Sequence, residues 1–315
     1  MTKAAARLNG WEAVNRVRRH AMMRVDQAWS LTARRLSASP LIIPFDGKPR
    51  FALITVAFAT TRYLKLMLLT LSEQRRLDRV QHIVIVDNCA RASREGFLRA
   101  LAERINQVHL VENRWFAYHA RGVRAGIRAL DDIERARSEK WRPNVLLFCD
   151  PDVVFRDPAT LDTLASIIVD HDAALVGEFR GNQASPDIQA SFLAVRRDIY
   201  ARRDIAPWVH HGSPALWMQR SIARAGLQVV DFRSNFGGYV LHRGRTAVAA
   251  VRGVTRLHPY ATVSYRHPHY MGVPHGAEIW AQIEQRHAPL LDPACEPELL
   301  AVLGEQLARL GTSEG

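Results

Sequence analysis

Cysteine is scarce in this sequence, and its three residues, Cys89, Cys149 and Cys295, are odd in number and lack metal-ligand spacing. That excludes a disulfide-stapled scaffold and a cysteine-built zinc site, and it points to a reducing compartment. Long apolar runs are missing too: none approaches the ~20 residues that cross a bilayer. The first thirty residues have neither the continuous apolar core nor the small-residue cleavage site of a secretory signal. A cytoplasmic protein is the expectation. Internal repeats, low-complexity segments, zinc fingers and RNA-recognition motifs are also absent, so nucleic acid is not the expected partner.

What is present describes a globular chain. Of 315 residues, 48% are hydrophobic and 23% charged, enough to bury a sizeable core. The net charge is +12, and +7 of it lies in the first fifty residues, where ten Lys and Arg face Glu12, Asp26 and Asp46. A basic balance attracts polyanions without choosing among nucleotide, anionic lipid and nucleic acid.

From Leu8 to Leu36 the residues Trp11, Val14, Met22, Val25 and Trp29 recur at helical intervals among arginines. Two readings stand: a peripheral contact with an anionic membrane, or helices packed on the main domain with a solvated basic face. Residues 37–50, with Ser37, Ser39, Pro40, Pro44, Gly47 and Pro49, read as a linker. Strand and helix signals then alternate. Phe51 to Phe58, His82 to Val86, Val108 to Val111 and Val145 to Cys149 are apolar runs. Helical patterns follow the first three, through Tyr63 to Leu71, Ser93 to Ile105 and Phe116 to Leu130. Short apolar strands separated by helices predict a parallel sheet covered on both faces, whose ligands bind beyond the strands' carboxyl ends. Asp87, Asn88, Asn113, Asp150 and Asp152 fall there.

Asp150 and Asp152 end the fourth run, one residue apart around Pro151. Two buried carboxylates so close repel each other, and a hard divalent cation carrying a substrate phosphate resolves the conflict. A turn after a strand is the plainer reading of Asp-Pro-Asp. Further on, a helix is expected over Leu161 to Val169, strands over Ala174 to Glu178 and Gln189 to Val195, and a loop over Arg180 to Asp187. A helix over Ser213 to Ala225, capped by Ser213 with Pro214 at its first position, should stop at Gly226. Strands over Leu227 to Phe232 and Tyr239 to His242 flank a tight turn at Asn235, Gly237 and Gly238. The tail should be helical through Ile279 to Gln285 and Pro297 to Leu310.

This layout resembles the nucleotide-binding half of a GT-A glycosyltransferase, closest to the broad glycosyltransferase family 2, over roughly Phe51 to Arg245. Thr55, Val56, Ala57 and Phe58 are similar to the segment that wraps the base. Asp87 and Asn88 resemble the pair that meets it, and Asn113, before Arg114 and Trp115, the asparagine after the third strand. Asp150 and Asp152 resemble the Asp-x-Asp that holds metal and diphosphate. Ser191 to Arg197 is similar to the strand lining the acceptor side. The stretch from Gly226 through Leu227, Val229 and Val230 resembles the approach to a late histidine, a place taken here by His242. The resemblance implies an α/β GT-A fold: a mostly parallel central sheet flanked by helices, with helical N- and C-terminal extensions. It divides the chain into an extension and linker over 1–47, a catalytic domain over 48–272 (nucleotide half 48–155, acceptor half 156–272) and a helical segment over 273–315. It implies sugar transfer from a nucleotide-diphosphate donor to a hydroxyl of a glycan, lipid-linked saccharide or other acceptor. Mn2+ or Mg2+ would sit at Asp150, Asp152 and His242, with Arg121 adding a contact to base or phosphate.

One departure concerns the base. Inverting members carry a Glu-Asp pair where this chain reads His210, His211, Gly212, Ser213, Pro214, Ala215, Leu216. Either another residue deprotonates the acceptor, or configuration is retained, or the chain is an inactive sugar-nucleotide-binding relative. His211 is the first candidate and His210 the second, since neutral imidazole is available near neutral pH. Glu178 and Asp187 are carboxylate alternatives. His267, His269 and His275 are read as part of a loop on the acceptor side, with zinc binding the lesser reading. A basic nucleic-acid-binding protein is the alternative class. A nucleotidyltransferase is disfavoured, because no glycine-rich phosphate loop follows the first strand.

Overall fold

The computed structural model describes residues 40–58, 60–88, 96–114, 119–136, 142–180, 187–209, 214–244, 246 and 272–312, with Val17, Ala21, Arg24, Val25, Ala28 and Thr32. The expected N-terminal helices otherwise lie outside the described residues. Arg24, one of the described helical residues, sets its guanidinium 5.8 Å from the ring centre of Trp217.

The order of elements is β1 (Phe51–Ala57), α1 (Thr61–Ser72), β2 (Val80–Asp87), α2 (Phe97–Arg104), β3 (Val108–Glu112), α3 (His119–Arg135), β4 (Val145–Cys149) and β5 (Val153–Phe155). It continues with α4 (Thr160–Asp170), β6 (Leu175–Arg180), β7 (Asp187–Arg196), α5 (Arg197–Tyr200), α6 (Leu216–Arg224), β8 (Val229–Asp231) and β9 (Val240–His242). Two C-terminal helices close the fold, α7 (Gly276–Leu291) and α8 (Glu296–Gln306).

Seven strands form one sheet in the order β3-β2-β1-β4-β7-β6-β8, and β5 pairs with β9 beside it. The pairs β1-β2, β1-β4, β2-β3 and β6-β8 are parallel, whereas β7 runs antiparallel to β4 and β6. The sheet is therefore mostly parallel and flanked by helices. Every residue of β1, β2 and β4 is buried, as their largely apolar sequences predict for strands covered twice, with Gln81, His82 and Asp87 the polar residues of β2. Alternation divides β1 between two cores. Phe51 and Leu53 pack with α1, α2, α4 and the C-terminal helices, while Ala52, Ile54 and Val56 pack under α3 and α6.

Chain order places the functional edge. From β1 the chain moves outward to β2 and β3, then returns to lay β4 on the other flank of β1. The strand order reverses there, and sheets of this kind bind ligands beyond the carboxyl ends of the strands at such a point. In register, Ala57 faces Asp87 and Asp87 faces Glu112, so the strands end level.

Two local expectations change. Helix α6 begins at Leu216, after a turn at Pro214 and Ala215, and no side chain among the described residues caps it. The Pro214 carbonyl accepts from the Val209 amide at 3.2 Å, drawn toward the preceding segment rather than into a helical turn. Ser213 lies outside the described residues. The strands flanking Asn235 to Gly238 do not pair with each other: β8 joins β6 and β9 joins β5. The turn between them carries the chain from one sheet to the other. Gly237 is required in it, because a Cβ would stand 2.3 Å from the Arg233 carbonyl oxygen.

Candidate metal and nucleotide site

β4 is buried to Cys149, after which the Asp150 amide donates to the Ser191 carbonyl at 2.8 Å and the chain turns into β5. β5 pairs antiparallel with β9, Val153 opposite His242. That register sets the imidazole beside the two carboxylates, though ninety residues separate them in sequence. His242 Nε2 lies 3.3 Å from Asp152 Oδ1 and 3.6 Å from Asp150 Oδ2. One ligand atom from each of the three residues lies within 4.8 Å of the others, the one such group of metal-binding side chains among the described residues.

Asp152 is buried and Asp150 partly exposed. Burial pushes the Asp152 carboxyl up, but the charge and hydrogen bonding of His242 and a hydrogen bond from Thr246 outweigh it and hold the group below its ordinary range. Thr246 Oγ1 donates to Asp152 Oδ2 at 2.7 Å. Cys149 is no ligand here: burial, then the charges of Asp150 and Asp152, push its thiol well up. Carboxylate oxygens with one imidazole fit manganese or magnesium, and the buried anionic Asp152 calls for such a charge.

A second chain of contacts fixes His242. Its amide donates to Asn235 Oδ1 at 3.0 Å. The amides of Asn235 and Phe236 and the Ser234 hydroxyl in turn donate to Glu178 Oε2, with Phe236 at 3.2 Å. Burial raises the Glu178 carboxyl despite these donors. Glu178 thus ties the turn before β9 to β6.

Beside the acidic cluster lies an amide pair. The Asn113 side chain donates to Asn88 Oδ1 at 3.0 Å, and the Asn88 and Asn113 amides continue the ladder onto the carbonyls of Ala57 and Asp87. Asp87 and Asn88 are buried. Thr55, Val56 and Ala57 are buried in β1, and the Thr55 hydroxyl has no hydrogen-bond partner among the described residues. Gly122 lets α3 approach: a Cβ there would stand 2.7 Å from Val56 Cγ1 and 3.4 Å from Asn88 Oδ1. Arg121 is exposed on α3.

His210, His211, His267 and His269 lie outside the described residues. Asp187 opens β7 opposite Arg180, and its side chain is likewise outside. His275 stands at the start of α7, exposed and 2.9 Å from Glu278.

Two residues join the site that sequence reasoning missed. His119 begins α3, with Nε2 3.9 Å from Asp150 Oδ1 and its ring 5.9 Å from that of Trp208. Trp208 in turn packs edge-on against Phe148 at 4.8 Å, two residues before Asp150. The other is Thr246. A lone histidine soon after the third strand was the available signal for His119, and Thr246 had none.

No protein-family model and no curated protein matches the chain. Among solved structures it is similar to TarS 1-349 of S. aureus, at 13% identity and TM-score 0.43, over 82% of this chain and 87% of that one. It is similar also to the mannosyltransferase PcManGT from Pyrobaculum calidifontis, in complex with GDP-Man and Mn2+, at 16% identity and TM-score 0.43, over 95% and 96%. A third is glucosyl-3-phosphoglycerate synthase from Mycobacterium tuberculosis, in complex with Mn2+, UDP and phosphoglyceric acid, at 14% identity and TM-score 0.42, over 65% and 78%.

Proposed function

We propose that this chain is a GT-A glycosyltransferase that moves a sugar from a nucleotide-diphosphate donor to a hydroxyl acceptor. The observation that supports this most is the group of Asp150, Asp152 and His242, gathered beyond the strands' carboxyl ends where the strand order reverses. In this reading Asp150, Asp152 and His242 hold a divalent ion. When bound, it supplies Lewis-acid neutralisation of the charge that develops on the leaving diphosphate.

The chain's own residues do the rest. Thr246 and His242 fix the two oxygens of Asp152 before any ligand arrives. Asp87, the Asn88-Asn113 amide pair and Thr55 form the end of the site assigned to the base, where amides offer both donor and acceptor. Glu178 positions the turn that carries Asn235 through Oε2, while its Oε1 has no partner among the described residues. His211, His210, Glu178 and Asp187 are the candidates for the base. The described start of α6, Leu216 with Pro214 and Ala215 before it, offers no carboxylate, and this favours a second reading in which the chain binds a sugar nucleotide without transferring it.

The test is turnover of a nucleotide-sugar panel with Mn2+, by wild type and Asp152→Asn. Release of one nucleoside diphosphate by the wild type alone supports transfer. Binding without release supports the second reading.

A further inference from the structure

We propose a second ligand site, on the opposite edge of the sheet, that takes a small phosphorylated polyol such as a sugar phosphate. A cavity of about 400 Å³ lies between the loop 47–50, the turn 76–79 and α4. That volume is within the range of small-molecule sites. The loop leads into β1 and the turn into β2, so the cavity sits at the strands' amino ends, whereas Asp87 and Asp150 stand at the carboxyl ends. The length of β1 separates the two edges by roughly 20 Å.

One wall is cationic: Lys48, Arg50, Arg76 and Arg79. Two of these are already satisfied. Arg50 Nη1 donates to Asp46 at 2.9 Å, and Arg76 forks onto Asp78 through Nε at 3.1 Å and Nη2 at 3.0 Å. The other two are less engaged. Arg79 stands in an ion pair with Asp162 at 3.8 Å, beyond hydrogen-bond length, and its Nε has no acceptor among the described residues. Lys48 is exposed at the mouth and forms no ion pair among the described residues. The Arg79 side chain, 24% exposed, lines the cavity with Lys48, and a guanidinium with an ammonium beside it is a donor set suited to phosphate oxygens.

The facing wall decides what else the ligand carries. Asp162, Ser166 and Asp170 recur every fourth residue of α4 and so share one face of it. These are acceptors suited to hydroxyl groups, and two of them repel a bare anion. A ligand that presents phosphate to Arg79 and Lys48 and hydroxyls to α4 satisfies both walls; inorganic phosphate satisfies one. Soluble sugar phosphates and the inositol headgroup of an anionic phospholipid share this chemistry.

Calorimetry on the full chain with glucose 6-phosphate, inorganic phosphate and glucose tests the site, and pelleting with phosphatidylinositol or phosphatidylcholine vesicles separates the two sources. Glucose 6-phosphate should bind saturably and at least ~10-fold tighter than inorganic phosphate, from contacts to both walls. Lys48→Gln and Arg79→Gln should each weaken it about 10-fold or more, by loss of a charge-assisted hydrogen bond. Asp162→Asn should weaken glucose 6-phosphate without weakening phosphate, and Asp152→Asn, which alters the distant metal group, should leave the affinity for glucose 6-phosphate as it is. Lys48-dependent pelleting with phosphatidylinositol vesicles alone, without binding of the soluble ester, would assign the lipid source. Lys48 is exposed, so its variant keeps the test valid if Arg79→Gln lowers stability. Absence of binding to ester and vesicle alike, binding indifferent to both basic substitutions, or binding lost in Asp152→Asn would overturn the proposal.

Discussion

Thr246 gives its hydroxyl proton to Asp152 Oδ2 at 2.7 Å while His242 stands 3.3 Å from Oδ1 of the same carboxylate. The two oxygens have separate partners, so the plane of the group is set by the fold. A ligand oriented in this way loses affinity when its support is removed, typically about 10–100-fold. Thr246→Val, close in shape, should therefore lower Mn2+ affinity by roughly that factor, and because it leaves a buried carboxylate oxygen without its donor it should also cost about 1–3 kcal/mol of stability. Manganese titration followed by electron paramagnetic resonance reads it, and unaltered affinity would show that the hydroxyl does not support the site.

Much of this arrangement was legible in the sequence, and the reason is burial. β1, β2 and β4 announce themselves because a strand covered on both faces is mostly apolar, and the polar residues that end such a run mark its carboxyl end. Asp87, Asn88, Asp150 and Asp152 were visible for that reason. What local patterns did not show were relationships made only in three dimensions. Thr246 reaches Asp152 because β9 pairs with β5, and a threonine four residues past a strand carries no mark of that pairing. His119 is brought to Asp150 by the packing of α3. Ser213 and Pro214 have the composition of a helix start, but the Pro214 carbonyl is engaged by Val209, a tertiary bond that the sequence of the helix does not contain.

Gly122 should be intolerant of a side chain. A Cβ there would stand 2.7 Å from Val56 Cγ1, in a core that cannot yield without displacing α3 from the ends of β1 and β2. Gly122→Ala should destabilise the protein by about 1–3 kcal/mol, the ordinary cost of overpacking. It should also weaken nucleotide binding, because Asn88 Oδ1 lies 3.4 Å from the same point. Denaturant unfolding and calorimetry together check it; unchanged stability would contradict the close approach.

Arg197 and Asp131 form a buried ion pair at 2.6 Å, with side chains 2% and 6% exposed. Arg197 also donates to the Pro143 carbonyl, and Asp131 accepts from the Leu41 amide. Asp131→Asn strands the guanidinium in the core, and removal of one partner of such a pair costs about 3–5 kcal/mol. Urea unfolding should show a lower midpoint with an unchanged slope.

His287 predicts an acid-sensitive C-terminal segment. Burial and then the Arg286 charge hold its imidazole down, from an ordinary 6.5 to about 4. Arg286 Nε donates to His287 Nε2 at 3.2 Å, a bond that needs the neutral ring, and Arg286 also reaches Glu73 at the end of α1 at 2.9 Å. Between the two pKa values the unfolded chain binds more protons than the folded one, so stability rises with pH through this window. The contribution is complete above about pH 6.5 and drains away as the pH falls toward about 4. Melting curves at pH 7, 5.5 and 4.5 should show that His287→Gln loses less stability on acidification than the wild type. An equal loss in both would contradict the assignment.

Metal-dependent donor binding is tested most directly by calorimetry of UDP, GDP, ADP and CMP, with and without Mn2+, on wild type, Asp152→Asn and His242→Ala. One nucleotide should bind only in the presence of Mn2+, and both substitutions should weaken it by at least ~100-fold, since each removes a side chain that would hold the ion. Metal-independent binding, or binding equal in wild type and variants, would contradict it, leaving Asp150, Asp152 and His242 as a structural cluster at the end of the sheet.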